Sequence, residues 1–171
     1  MKTKRFAQVA MVAALYAVVT LVFAPLSYGP IQVRISEALT VLPLIWQPAV
    51  ISLTVGCFLS NLIGVHLGAT GPIDIVVGTL ATFLAAVCTY RLRNRTIKGV
   101  PVLSLLMPVL FNGVLVGLEL AWMLNPDQIP SMAVIYGSQV AIGEFISVLI
   151  GWLLLPMLKR IEAFRETNPK E

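Results

Sequence analysis

Arg34, Glu37, Asp74, Glu119 and Glu144 interrupt stretches of sequence that are otherwise almost wholly apolar. A charge at the centre of a membrane helix costs about 2.5–3.5 kcal/mol on insertion scales, so such side chains are candidates for binding work. One arginine facing four carboxyl groups leaves a net negative site. It suits a cation, or a solute rich in N–H donors that carboxylates accept, although burial could keep one carboxyl neutral. Asn61, Asn112 and Gln139 add hydrogen-bonding groups, and Tyr28 and Trp122 add flat aromatic faces. Some of these residues also have quieter readings. Arg34 and Glu37 are three apart and could neutralise each other across one helical turn. Asp74 follows Gly71-Pro72-Ile73 and could be a helix cap or first-turn carboxylate. His66 reads as interfacial and structural. Glu119 and Glu144 have no cation nearby in sequence, and a ligand or a water-filled pocket explains them better.

The chemistry implied is binding rather than catalysis. No G-x-x-x-x-G-K-[ST] phosphate loop is present, so the chain does not hydrolyse ATP in that way. A single histidine excludes an H-E-x-x-H metal site, and no Ser or Cys is paired with a base. Neither a metal nor a cofactor is expected. Cys57 and Cys88 sit in apolar stretches and read as buried free thiols. At 171 residues the chain is too short for the inverted repeats of a typical secondary transporter. A small binding subunit driven by a partner is the economical reading.

The elements that must position these residues follow from composition and charge. The chain is 58% hydrophobic and 12% charged, with a mean hydropathy of +0.90, against roughly 25% charged in soluble domains. Eleven of the twelve basic residues fall into three clusters: Lys2, Lys4 and Arg5; Arg91, Arg93, Arg95 and Lys98; and Lys159, Arg160, Arg165 and Lys170. Basic residues beside membrane spans stay on the cytoplasmic side, so an even number of spans must separate each pair of clusters. The net charge of +4 sits where it meets lipid headgroups and forms no stripe suited to nucleic acid. The start of the chain imitates a secretory signal, but the apolar run over 6–26 is longer than the usual 7–15 residues of such a core. It is expected to stay as the first membrane helix.

Hydropathy shows three runs between the first two clusters, which parity forbids. The middle run, 36–65, must therefore be split, and Trp46-Gln47-Pro48 offers the break. Thirty residues of unbroken helix would also span ~45 Å, beyond a ~30 Å hydrocarbon core. The expectation is an all-α membrane protein of one domain, 1–171, with six transmembrane helices near 6–26, 36–46, 48–65, 73–90, 101–123 and 132–157. Both termini are cytoplasmic. The helix at 36–46 is too short to cross unaided and needs to tilt or to be completed by an inward-folded loop over 27–36. This topology puts Arg34, Glu37, Asn61, Asp74, Glu119, Gln139 and Glu144 in the outer half. Ala7, Ala10, Ala14 and Ala17, with Ala13 beside them, form a small-residue face on the first helix that could pack internally or against another subunit. Gly113 and Gly117 repeat the pattern, with internal packing as the default.

Three stretches carry a resemblance: Tyr28-Gly29-Pro30-Ile31-Gln32-Val33-Arg34-Ile35-Ser36-Glu37-Ala38-Leu39, Ser60-Asn61-Leu62-Ile63-Gly64, and Gly71-Pro72-Ile73-Asp74-Ile75-Val76-Val77-Gly78-Thr79-Leu80. Together they resemble the signature of the QueT family, substrate-binding S components of energy-coupling factor (ECF) transporters assigned to queuosine precursors. The resemblance implies six helices and a pocket open to the outside, with a coupling membrane subunit and two cytoplasmic ATPases as partners. It also implies docking to the coupling subunit through an A-x-x-x-A motif, matched by Ala10 with Ala14 and by Ala13 with Ala17. The implied solute is a 7-deazaguanine. On charge, depth and ligand chemistry, Glu119 or Glu144 would accept its guanine-like edge, and another carboxylate would meet an aminomethyl group. Asn61, Asn112 and Gln139 would bond the remaining ring atoms, and Tyr28 or Trp122 would stack on the ring.

Overall fold

In the computed structural model the described residues are 2–28 and 32–164; Gly29, Pro30 and Ile31 and the basic residues Arg165 and Lys170 lie outside them. The long helices are α1 (Lys2–Val22), α3 (Ala49–His66), α4 (Asp74–Leu92), α5 (Val102–Leu124) and α6 (Ile129–Leu158). A single turn, α2 (Ala24–Ser27), follows α1. The break at Phe23 has a local cause: Pro25 has no N–H to give to the carbonyl of Leu21. Among the described residues five helices are long and apolar enough to cross a membrane, and a shorter apolar helix, Ile35–Leu44, accompanies them.

That shorter element is a ten-residue 3-10 helix, unusual because such runs seldom exceed three or four residues. Two side chains work against an ordinary α-helix here. Pro43 offers no backbone donor, and the Thr40 hydroxyl donates to the carbonyl of Glu37. At ~2.0 Å per residue the element is about 20 Å long. Residues 32 and 34 before it are also buried, so the backbone leading into it is shielded by protein, as membrane depth requires.

The long helices pack in the order α1, α3, α4, α5, α6, and the 3-10 helix touches all five. Buried faces are made of small residues. On α3 they are Ala49, Ser52, Gly56, Cys57, Ser60 and Gly64; on α4, Gly78, Ala81, Thr82, Ala85 and Ala86. Large side chains such as Phe58, Val76, Leu110, Phe145 and Leu153 point outward. Lipid solvates them as well as a core would, and close helix contact supplies the cohesion. Gly113 and Gly117 meet Ala141, Gly137 and the carbonyl of Ala133, so this pair packs internally, α5 against α6.

A second small-residue row, not anticipated from sequence, lies on α6 at Gly143, Ser147 and Gly151, all buried. A Cβ at Gly143 would strike the carbonyl oxygen of Gln32, and one at Gly151 that of Ala38. The segment entering the 3-10 helix and the helix itself thus lie main chain to main chain against α6. Pro108 inside α5 leaves the carbonyl of Ser104 without its helical donor, and Thr89 on α4 donates to it instead at 3.0 Å.

The split of the middle apolar run falls where expected, between Leu44 and Ala49. Trp46, read above as an interfacial residue, is instead 2% exposed and packs on Phe164 with ring centroids 5.2 Å apart. With Val12, Leu42 and Ala49 it forms an apolar cluster that closes one end of the bundle.

Candidate functional site

Arg34 precedes the 3-10 helix in extended conformation, and its side chain runs toward α3 and α4. Nη2 lies 3.4 Å from Asp74 Oδ2, with both side chains almost wholly buried. Nη1 lies 3.7 Å from Cys57 Sγ, and the guanidinium carbon is 5.3 Å from the centre of the Tyr28 ring. The local Arg34–Glu37 pairing considered above is therefore corrected, because the ion pair joins Arg34 to a residue forty positions away. Glu37 turns instead to two other helices: its Oε1 accepts from the Tyr16 hydroxyl on α1 and from Thr82 Oγ1 on α4 at 3.4 Å.

Asp74 opens α4 but does not cap it. Its Oδ2 takes Arg34 and, at 3.0 Å, Thr70 Oγ1. Asn61 Nδ2 donates to the Asp74 carbonyl at 2.8 Å, tying α3 to α4. A Cβ at Gly78 would lie 2.8 Å from Asn61 Nδ2 and would collide with Asp74 Oδ1, so glycine makes room for this arrangement.

Asn112 and Glu119 come from α5 and Glu144 from α6, where Gln139 precedes it by five residues. Asn112 Nδ2 donates to Glu144 Oε1 at 3.0 Å. Glu144 interacts electrostatically with Glu37 and Arg34, and Glu119 with Asp74 and Arg34. Arg34 is thus the cation that all four carboxyl groups sense. Among the described residues Glu37 Oε2, Asp74 Oδ1, Glu119 Oε2, Glu144 Oε2, Asn61 Oδ1 and Gln139 Oε1 are buried without a hydrogen-bond partner. Buried polar atoms are nearly always paired, and a concentration of unpaired acceptors is costly to the fold. The arrangement can accept several N–H donors at once.

Tyr28 belongs to the group, though its hydroxyl is engaged by the Ser60 carbonyl at 2.9 Å and its ring by Arg34. Trp122 does not join it. At 56% exposed, it lies outside the buried cluster, and the stacking role considered above is corrected accordingly. The alanine face of α1 divides. Ala7, Ala10 and Ala14 are exposed, whereas Ala13 and Ala17 are buried. Gly56 of α3 approaches the Ala13 carbonyl so closely that a Cβ there would come within 2.8 Å, so Ala13 packs inside and is withdrawn as a partner contact; Ala17, 6% exposed, is withdrawn with it. His66 is exposed and bonded to the Leu62 carbonyl. Cys57 and Cys88 are both free.

Sequence reasoning missed Tyr16, Cys57 and Thr82 as members of the cluster. Two signals were available. A tyrosine in mid-span needs a partner for its hydroxyl, and Thr82 lies on the Asp74–Gly78 face of α4 at helical spacing. Two open grooves lie apart from these groups: one of about 430 Å³ between α5 and α6, lined by Gly113, Val114 and Gly137, and one of about 650 Å³ bordered by Arg5 and Arg91. Grooves on an apolar face fill with lipid at little cost. Unpaired buried carboxyls are harder to explain, so they mark the candidate site.

Membrane-length helices around a buried polar cluster make this a multi-pass membrane protein. A family model described as QueT transporter matches residues 6–160, and the chain belongs to that family, one of transporters and not of enzymes. Over 85 residues it is 35% identical to the queuosine precursor transporter QueT of Lactococcus lactis subsp. cremoris (strain MG1363). That match takes in 48% of this chain and 47% of the relative, about half the length of each. No solved structure matches.

Proposed function

We propose that this chain is the substrate-binding S component of an ECF importer and captures a queuosine precursor, a 7-deazaguanine base, from outside the cell. In this reading it crosses the membrane six times, with the 3-10 helix as the second pass and both termini in the cytoplasm. The observation that carries the proposal is the set of buried, unpartnered carboxylate oxygens around Arg34. A guanine-like edge presents adjacent N–H donors that one carboxylate accepts bidentately. Glu144, held by Asn112, takes that edge, and Glu119 or Asp74 takes a cationic side arm. Gln139 and Asn61 accept further ring donors. Arg34 has five N–H donors and can offer one to a base carbonyl. The exposed Ala10 and Ala14 meet the coupling membrane subunit, and two cytoplasmic ATPases supply the energy that this chain has no phosphate loop to draw on.

Calorimetric titration of the detergent-purified protein with 7-aminomethyl-7-deazaguanine tests the reading, with guanine and riboflavin as controls. Saturable binding of the deazaguanine alone is expected. Glu144→Gln and Glu119→Gln should each weaken it by about 10- to 100-fold, the range for a lost hydrogen bond to a charged group. Normal binding in both variants would overturn the site. Binding of riboflavin instead would keep an S component but change its solute.

A further inference from the structure

We propose that the groove between α1, α3 and α4 at the end carrying Arg5 and Arg91 is a binding site for an anionic phospholipid of the adjoining leaflet. Its volume is about 650 Å³. The start of α1, the start of α3 and the end of α4 meet here, so Arg5, Gln47-Pro48 and Arg91 stand at one level. Below that level the walls are Phe6, Val9, Val50, Ile51 and Val87, all apolar. The groove therefore has two chemistries stacked along the membrane normal, cationic at the rim and hydrocarbon beneath. A phospholipid has the same order.

Charge complementarity identifies the occupant. Arg5 and Arg91 are exposed, and no ion pair among the described residues includes either of them. Tyr90, which also lines the groove, is covered on its ring face by the Arg93 guanidinium at 3.8 Å. The first turn of α1 contains no acidic residue, and the last turn of α4 contains Arg91. The Arg91 guanidinium also lies near the negative end of the α4 dipole, and a headgroup phosphate drawn to it is held by side chains, not by the helix. Basic pockets between membrane helices at the cytoplasmic level are recognised sites for anionic headgroups. An apolar floor distinguishes this site from one for free phosphate, because it rewards the acyl chain.

The test is native mass spectrometry of the full chain in detergent, titrated separately with phosphatidylglycerol and phosphatidylcholine. Preferential retention of phosphatidylglycerol is expected, with no competition from millimolar glycerol phosphate. Replacing both arginines, Arg5→Gln with Arg91→Gln, should cut phosphatidylglycerol affinity by roughly 30-fold, two surface charges' worth, and leave phosphatidylcholine unchanged. Ile51→Trp, which fills the apolar floor and keeps both charges, should weaken both lipids. An unchanged gel-filtration profile for each variant checks the fold. Equal retention of the two lipids would leave the groove to a helix of a protein partner and overturn the proposal. So would competition by glycerol phosphate, or full phosphatidylglycerol binding by the double variant. None of these outcomes bears on solute binding at the carboxyl cluster.

Discussion

The Arg34–Asp74 pair is the single ion pair among the described residues, and it lies where water cannot screen it. Removing Arg34 takes the cation from Asp74 and from the three other carboxyl groups at once, a loss of about 3–5 kcal/mol. Arg34→Leu should lower unfolding stability in detergent by that amount, whereas Asp74→Asn, which leaves Arg34 facing Glu37, Glu119 and Glu144, should cost less. A loss under about 1 kcal/mol for Arg34→Leu would mean that the pair is not formed in the folded protein. At this scale the sequence showed which residues mattered and concealed who met whom. Arg34, Glu37, Asn61, Asp74, Asn112, Glu119, Gln139 and Glu144 all stand out as polar groups in apolar surroundings. Their partners lie up to 45 residues away. Spacing along one helix favoured Arg34 with Glu37, while the fold gave Arg34 to Asp74.

Proline sets the character of several elements. Pro25 ends α1, Pro43 sits in the 3-10 helix, and Pro108 interrupts the bonding of α5. Length alone is a poor guide to such breaks. The run 36–65 is divided, yet α6 continues unbroken for 30 residues because its prolines lie in its first and last turns. The division falls directly before α3, next to Pro48, the residue that disfavours helix on its N-terminal side. At Pro108 the freed carbonyl of Ser104 is satisfied by Thr89 of the neighbouring helix. Thr89→Val keeps the shape and removes the donor. It should cost about 1–3 kcal/mol, the penalty for a buried acceptor left unmade, measured as a shift in the denaturation midpoint. Thr89→Ser should be near neutral. The 3-10 geometry was not legible, since apolar periodicity over ten residues cannot separate a 3.0 from a 3.6 repeat when the element is buried on all sides.

Across the whole molecule polarity is graded along the bundle. Val12, Leu42, Trp46, Ala49 and Phe164 fill one end, and the carboxyl cluster occupies the interior toward the other. Trp46→Ala would open a cavity in the sealed end and should lower stability by about 3–5 kcal/mol, read from thermal unfolding in detergent. Trp46→Phe should retain most of it. The membrane class and its multi-pass character were readable from composition and from the three basic clusters. The sealing role of Trp46 was not, because an aromatic beside a proline looks the same at a headgroup boundary as in a plug. The glycine contacts of α6 carry a further consequence for how this chain can change over time. Gly143 and Gly151 meet the carbonyls of Gln32 and Ala38, so this seam is matched chiefly by the spacing of main-chain groups. Inserting or deleting one residue between 32 and 38 would leave at most one of the two glycines in step. The same event in the exposed link after α4, around Asn94–Lys98, would be absorbed. Substitutions are therefore free to accumulate along the outward faces of this protein, while the length of the segment 32–38 stays fixed.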